Sequence, residues 1–266
     1  MALIHYVRGF NGIATREVLR FINQKERFIS ALVRPLMWLF IFAAGFRSTL
    51  GVAIIPPYET YILYEVYITP GLVGMVQLFN GMQSSLSMVY DREMGSMKTL
   101  LVSPLPRWFL LTAKLLAGVI VSVLQAYVFL AIAYIYGIEA PISGYLTVFP
   151  ALIVSGLMLG ALGLLLSSFI KQLENFAGVM NFVIFPMFFL STALYPLWKI
   201  QESSTLLYQI SRINPFTYAV EMLRFALYGQ FDLNAFGVTL TTLLIFLGLA
   251  IIGYNPKFGM ISRGKA

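Results

Sequence analysis

Five polar side chains, Gln77, Asn80, Ser84, Ser87 and Asp91, stand 3, 4, 3 and 4 residues apart in a largely apolar span. On a helix of 3.6 residues per turn that spacing puts them on one face. Amides, hydroxyls and a carboxylate so arranged either hydrogen-bond to neighbouring helices or line a water-accessible path that contacts a substrate. Two further groups are ionic. Asp91, Arg92 and Glu93 open a short helix-compatible stretch, Met94 to Val102, which Pro104 and Pro106 stop because proline cannot continue a helix. Asn214 is a good N-cap and Pro215 a good first-turn residue for a helix on which Glu221 and Arg224, three apart, can pair.

Reaction chemistry is harder to find. His5 is the one histidine and cysteine is absent, which excludes disulfides, thiolate metal sites and a His-based metal centre. The sequence has no His-Glu-x-x-His zinc helix, no Gly-x-Ser-x-Gly elbow and no clustered carboxylates, so no catalytic or metal-binding residue is expected. It has no Gly-x-x-x-x-Gly-Lys-Ser/Thr phosphate loop either.

The elements that must carry these groups are set by composition. Of 266 residues 59% are apolar and 11% charged, against about a quarter charged in an ordinary soluble domain. Such a chain has too little polar surface to face water, and the expected fold is one all-α membrane domain spanning residues 1–266. A crossing helix needs roughly 20 apolar residues, and runs of that kind fall near 31–50, 67–90, 108–136, 145–169, 176–196 and 235–254, six in all. The first is short, because 12 residues separate Arg34 from Arg47, so at least one of these arginines must snorkel to the interface.

Orientation follows from the basic residues. Fourteen of the 18 Lys and Arg lie in the N-terminal arm, the 91–114 region, the 170–175 loop and the tail; the other four are Arg47, Lys199, Arg212 and Arg224. Positive charge stays on the cytoplasmic side, so both termini are expected there. Clusters at the ends of apolar runs are topology signals, and the formal charge of +7 does not imply a nucleic-acid partner. Tyr58, Tyr61, Tyr64, Tyr67, Tyr195 and Trp198 are expected to anchor the other side at headgroup level.

Three segments are not simple spans. Residues 1–28 mix apolar positions with Arg8, Arg16, Glu17, Arg20, Lys25, Glu26 and Arg27, too polar for a cleaved signal; they read either as an amphipathic helix on anionic lipid or as a solvated basic arm. Residues 91–106 read either as a short force-transmitting cytoplasmic helix or as a plain loop. Residues 197–233 read as one or two short, partly buried external helices. Within the spans, Gly156, Gly160, Gly163 and Ser167 form a small-residue ridge for close helix packing.

Taken together these residues resemble the type-2 family of ABC transporter permeases. The resemblance runs through Pro70-Gly71-Leu72, through Asp91-Arg92-Glu93 with Gly95, Leu100, Leu101, Ser103 and Pro104, and through Tyr195-Pro196-Leu197 with Asn214-Pro215-Phe216-Thr217-Tyr218-Ala219 and Arg224. It implies the membrane subunit of an exporter in the plasma (inner) membrane, acting with a second permease copy and a separately encoded ABC ATPase that binds ATP and Mg. No cofactor would sit on this chain. Coupling to the ATPase would fall on Asp91, Arg92, Glu93, Gly95, Thr99, Leu100, Ser103 and Pro104. Gln77, Asn80, Ser84 and Ser87 would be candidates for the translocation path, and Asn214, Pro215, Tyr218, Glu221 and Arg224 would build the external re-entrant helix. Lys98, where the family usually has an acidic residue, and Thr192, where glycine is common, depart from the pattern.

The alternative is a passive channel or ion-coupled carrier working without an ATPase. An ion-coupled carrier needs titratable groups at mid-membrane depth to hold its coupling ion, and the central spans offer none in sequence. A copurifying ATPase would discriminate the two.

Overall fold

A computed structural model describes residues 3–23, 25–42, 45, 56–93, 105–170 and 172–254. The described chain is helical: α1 (Leu3–Asn23), α2 (Lys25–Met37, continued by a π turn over Trp38–Phe42), α3 (Tyr64–Glu93), α4 (Arg107–Ile135), α5 (Ile142–Phe169), α6 (Leu173–Phe189), α7 (Leu197–Ser203), α8 (Thr205–Ile213), α9 (Pro215–Leu227) and α10 (Leu233–Gly253). In hydrocarbon each backbone N–H and C=O must be paired within the protein, and a helix achieves this within a single segment.

By length and composition α4, α5 and α10 can cross a membrane. The α6 helix and the stretch Ala31–Ile41 are apolar but shorter. At 30 residues α3 is long enough, and its polar line is what lowers its hydropathy. The sequence-derived span near 176–196 is cut short in α6, which ends at Phe189. For the span near 31–50, residues 43, 44 and 46–50 lie outside the described residues.

The helix α5 is the hub, packing against α3, α4, α9 and α10. Lipid tails are as apolar as leucine, so these helices are held by close packing and hydrogen bonds, not by expulsion of water. The small-residue ridge does this work. A Cβ on Gly81 would lie 2.9 Å from the backbone N of Gly160, and one on Gly163 would lie 2.6 Å from the carbonyl of Gly81. At the opposite end of α3 a Cβ on Gly71 would lie 2.5 Å from Ala193 O. In these places two backbones touch where no side chain fits.

Between α6 and α10 the chain forms three short helices where the sequence suggested one or two. The breaks have local causes. Pro196 precedes α7, Ser204 caps α8 by accepting from Leu207 N, and Asn214 with Pro215 starts α9. The α8–α9 corner is fastened by Thr217 Oγ1 to Ser211 O (2.7 Å) and Tyr218 Oη to Arg212 O (2.9 Å).

The tyrosines before α3 behave differently from one another. Tyr61 is exposed, but Tyr58, Tyr64 and Tyr67 are buried in protein. The expected anchoring role at the interface is thus not the position of these three, because Tyr228 packs on Tyr58, Arg224 of α9 lies over Tyr67 and Tyr195 stacks near Tyr64.

Candidate functional site

Two polar clusters stand at opposite ends of the bundle, joined by the polar face of α3. At the first, α3 ends in Asp91, whose Oδ2 lies 3.3 Å from Lys114 Nζ on α4 and whose Oδ1 lies 3.5 Å from Arg16 Nη2 on α1. Lys114 also approaches Glu17 Oε1 at 3.9 Å, and Arg20 Nη1 reaches that oxygen at 3.7 Å. Asp91 and Lys114 are buried. Charges out of water are stable only when paired, so the network fixes α1 against the ends of α3 and α4. Two residues on, Glu93 Oε2 accepts from Leu173 N at 3.3 Å, placing a carboxylate in the first turn of α6, where the helix dipole favours it.

Lys114 was legible in the sequence only as a topology charge. Its signal was its position seven residues into an apolar run, where a lysine needs a partner. Arg92 lies in α3. Gly95, Lys98, Thr99, Leu100, Ser103 and Pro104 lie outside the described residues.

The polar face of α3 is engaged by its neighbours. Gln77 Nε2 donates to Leu152 O (2.7 Å), and Ser155 Oγ donates to Gln77 Oε1 (2.6 Å). Asn80 Nδ2 donates to Gln125 Oε1 on α4. Ser87 Oγ bonds back to Ser84 O (2.6 Å) within α3. The structure therefore brings Gln77 and Asn80 into bonds between helices. Ser84 is half-buried, facing Gly118 of α4 closely enough that a Cβ there would lie 2.8 Å from its Oγ.

At the other end, Arg224 of α9 is buried to 1% exposure. Its Nη1 donates to Glu221 Oε1, its Nη2 donates to Thr192 O at 2.8 Å, and its guanidinium lies 4.1 Å from the ring centroid of Tyr67. Tyr67 Oη donates to the same Thr192 carbonyl at 3.1 Å. Tyr58 packs edge-on against Tyr228 with centroids 4.8 Å apart. Burial pushes the Tyr58 phenol well above its ordinary value and that of Tyr228 up to about 12, so both are neutral at physiological pH and leave Glu221 as the counter-charge. The sequence pointed to the Glu221–Arg224 pair but not to the tyrosine cage, since nothing in spacing links Tyr67 to residue 224.

Asn214 does two jobs here. Its Oδ1 accepts from Phe216 N at 3.0 Å, while Nδ2 donates to Met187 O (2.8 Å) and Leu190 O (2.6 Å), carbonyls at the C-terminal end of α6. The last turn of a helix has carbonyls without intrahelical partners, and Asn214 satisfies two acceptors there. Asn214→Ala removes the cap and both bonds. We expect it to cost about 1–3 kcal/mol, read as a lower melting temperature of the detergent-purified protein. Asn214→Asp, which keeps the cap and loses the donors, should fall between.

Among the described residues no group of three or more His, Asp or Glu is placed to hold a metal ion. Ion pairs, amides and hydroxyls that join helices are means of holding and moving elements. The fold and its two clusters define a multi-pass helical membrane protein.

The chain belongs to the ABC-2 type transporter family, whose model matches residues 9–228. It is similar to "Putative transport permease ycf38" of Cyanophora paradoxa, 29% identical over 258 residues, covering 88% of this chain and 83% of that protein. It is also 32% identical over 168 residues to "Probable multidrug ABC transporter permease YbhR" of Escherichia coli strain K12, covering 62% of this chain and 44% of that protein. The ycf38 protein of Porphyra purpurea is 26% identical over 231 residues. This chain is therefore the membrane subunit of a transporter.

Proposed function

We propose that this permease drives export with energy from a separately encoded ABC ATPase, which binds ATP and Mg and engages residues 91–104. In this reading it crosses the membrane six times, with both termini in the cytoplasm and α1 lying on the lipid surface of the plasma (inner) membrane. A second permease copy completes the path. The Asp91 end of the bundle is then cytoplasmic, and α7–α9 form the external cap.

The observation that carries the reading is the attachment of the segment's first residues. Asp91 is bonded to α1 and α4, and Glu93 to α6. A partner that displaced the 91–104 segment would act on four helices together. ATP supplies the direction, so the permease needs only two arrangements of comparable energy. Gln77 and Asn80 are already bonded between helices, which supports cross-linking as their role and leaves Ser84 and Ser87 as the nearer candidates for a translocation path.

A pull-down of the tagged chain in mild detergent tests the partner, with ATPase activity assayed in the eluate. A copurifying ATPase is expected. Glu93→Gln and Gly95→Leu should leave the permease folded and the ATPase active in the complex while transport in vesicles falls, by about tenfold or more if one charge-assisted contact is lost. Normal transport by both variants would refute the coupling assignment. Recovery of the chain alone would favour a passive channel.

A further inference from the structure

A cleft of about 290 Å³, whose lining includes neither Glu221 nor Arg224, opens between α5, α9 and α10. Its walls are apolar, formed by Pro150, Ala151 and Val154 of α5, Met222 and Ala226 of α9, and Phe236 of α10. Thr147 and Val154 lie five and 12 residues into α5, so the cleft runs about 8–18 Å below that end of the helix. A volume near 300 Å³ is at the lower limit for small-ligand sites.

The mouth differs in chemistry from the walls. It is formed by Phe231 and Asp232, with the Phe231 ring 5.4 Å from that of Phe236. Asp232 is the only charged residue among the described residues lining the cleft, in a chain whose formal charge is +7. Its Oδ1 accepts from Asn234 N (2.9 Å) and Ala235 N (3.1 Å), capping α10. A carboxylate can accept at both oxygens, so this does not exhaust it. The positive pole of α10 amounts to about half a unit charge and is outweighed by the full negative charge on the same residue.

The mouth is also held in place. Gly229, at φ +69°, ends α9, with Gly229 N bonded to Ala226 O (3.1 Å) and Gln230 N to Phe225 O (2.9 Å). This paired closure needs a left-handed residue, which glycine adopts without strain. Gln230 Nε2 then donates to Pro57 O at 3.2 Å, tying the turn to the loop before α3. Phe231 nevertheless remains 69% exposed, a large ring held at the mouth of an apolar cleft.

We propose that this cleft binds an amphiphile with an ammonium head and a single apolar tail. A carboxylate attracts the cation, and aromatic faces add cation–π attraction without requiring a hydrogen-bond donor, so tertiary and quaternary ammonium heads are accepted. An anionic head is disfavoured by Asp232. The tail fills the space between α5 and α9, where the hydroxyl of Thr147 is already engaged with Ala226 O (2.6 Å) and the other wall side chains of those two helices are apolar. An amine-headed membrane lipid and a soluble alkylammonium solute share this chemistry.

The test is photolabelling in maltoside micelles with a trimethylammonium amphiphile carrying a diazirine on its tail, and with its sulfate-headed analogue. Saturable labelling of residues around Ala151, Val154 and Met222 by the ammonium probe alone is expected. Asp232→Asn retains the helix cap, since Asn caps as well as Asp, yet should weaken labelling by about tenfold. Exposed Phe231→Ala should weaken it several-fold, in line with the loss of one cation–π contact, and Val154→Phe should block the tail without altering the mouth. Equal labelling by the sulfate analogue, or no change in Asp232→Asn, would overturn the proposal and leave an apolar crevice. Competition by sphingosine, a membrane lipid with an ammonium head and a single long tail, would support the site with lipid as its occupant; competition only by soluble alkylammonium ions would support it with a solute.

Discussion

Arg224→Ala is expected to give a protein that extracts poorly and melts far below the parent. Removing the guanidinium leaves Glu221 without its counter-charge, leaves Thr192 O with Tyr67 as a single donor, and opens space under the Tyr67 ring. Breaking a buried ion pair on one side costs about 3–5 kcal/mol, and Glu221, with its side chain 22% exposed, sets the expectation at the lower end. A domain with about 5–15 kcal/mol in total has little beyond that. Arg224→Lys keeps the charge but not the planar fork, so it should recover part of the loss. Glu221→Gln should cost less than Arg224→Ala, because it retains an acceptor at the less buried end of the pair. The measurement is thermal unfolding in detergent together with size-exclusion homogeneity. An Arg224→Ala protein as stable as the parent would mean that the cage holds nothing together.

The parts of this arrangement that rest on local rules were legible in the sequence. Asn214 and Pro215 stand where a helix start needs them, Glu221 and Arg224 stand three apart, and the 3–4 spacing from Gln77 to Asp91 required one polar helix face. The ridge from Gly156 to Gly163 announced close packing, and a Cβ on Gly163 would indeed meet the backbone of Gly81. Contacts set by the fold were not legible. Nothing local links Arg16 to Asp91 or Tyr67 to Thr192, which lie 75 and 125 residues apart. The family resemblance reached the membership of the chain without reaching those pairs.

Aromatic residues show the same division from the other side. Before α3 the sequence offers four tyrosines with identical preference for the headgroup level. Three are buried because α9, the turn after it and the turn before α7 cover them, and only Tyr61 keeps the exposed position. On α6, Phe188 is buried against Trp38 and Phe216, while Phe182, Phe185 and Phe189 remain exposed. Residue type gives the tendency to sit in or near lipid; which member of a series turns inward depends on what the remaining helices place over it.

Gly163→Ala and Gly237→Ala should move stability in opposite directions. In a helix interior alanine is favoured over glycine by about 1 kcal/mol, so propensity alone predicts that both substitutions stabilise. At Gly237 of α10 an added Cβ meets nothing within 4 Å, and the gain should be realised as a slightly higher melting temperature. At Gly163 the same carbon would lie 2.5 Å from Ser85 Oγ and 2.6 Å from the carbonyl oxygen of Gly81. The hydroxyl can rotate away; the carbonyl belongs to the backbone of α3 and moves only if the helix does. Overpacking of this kind costs about 1–3 kcal/mol, which exceeds the propensity gain. Because α3 and α5 also share the Gln77–Ser155 and Gln77–Leu152 bonds, parting them at Gly163 stretches those bonds as well. Gly163→Ala is therefore expected to melt lower than the parent, and larger side chains lower still. A stabilised Gly163→Ala would show that α3 and α5 can separate at little cost, and that the close approach at Gly81 and Gly163 does not hold the two helices together.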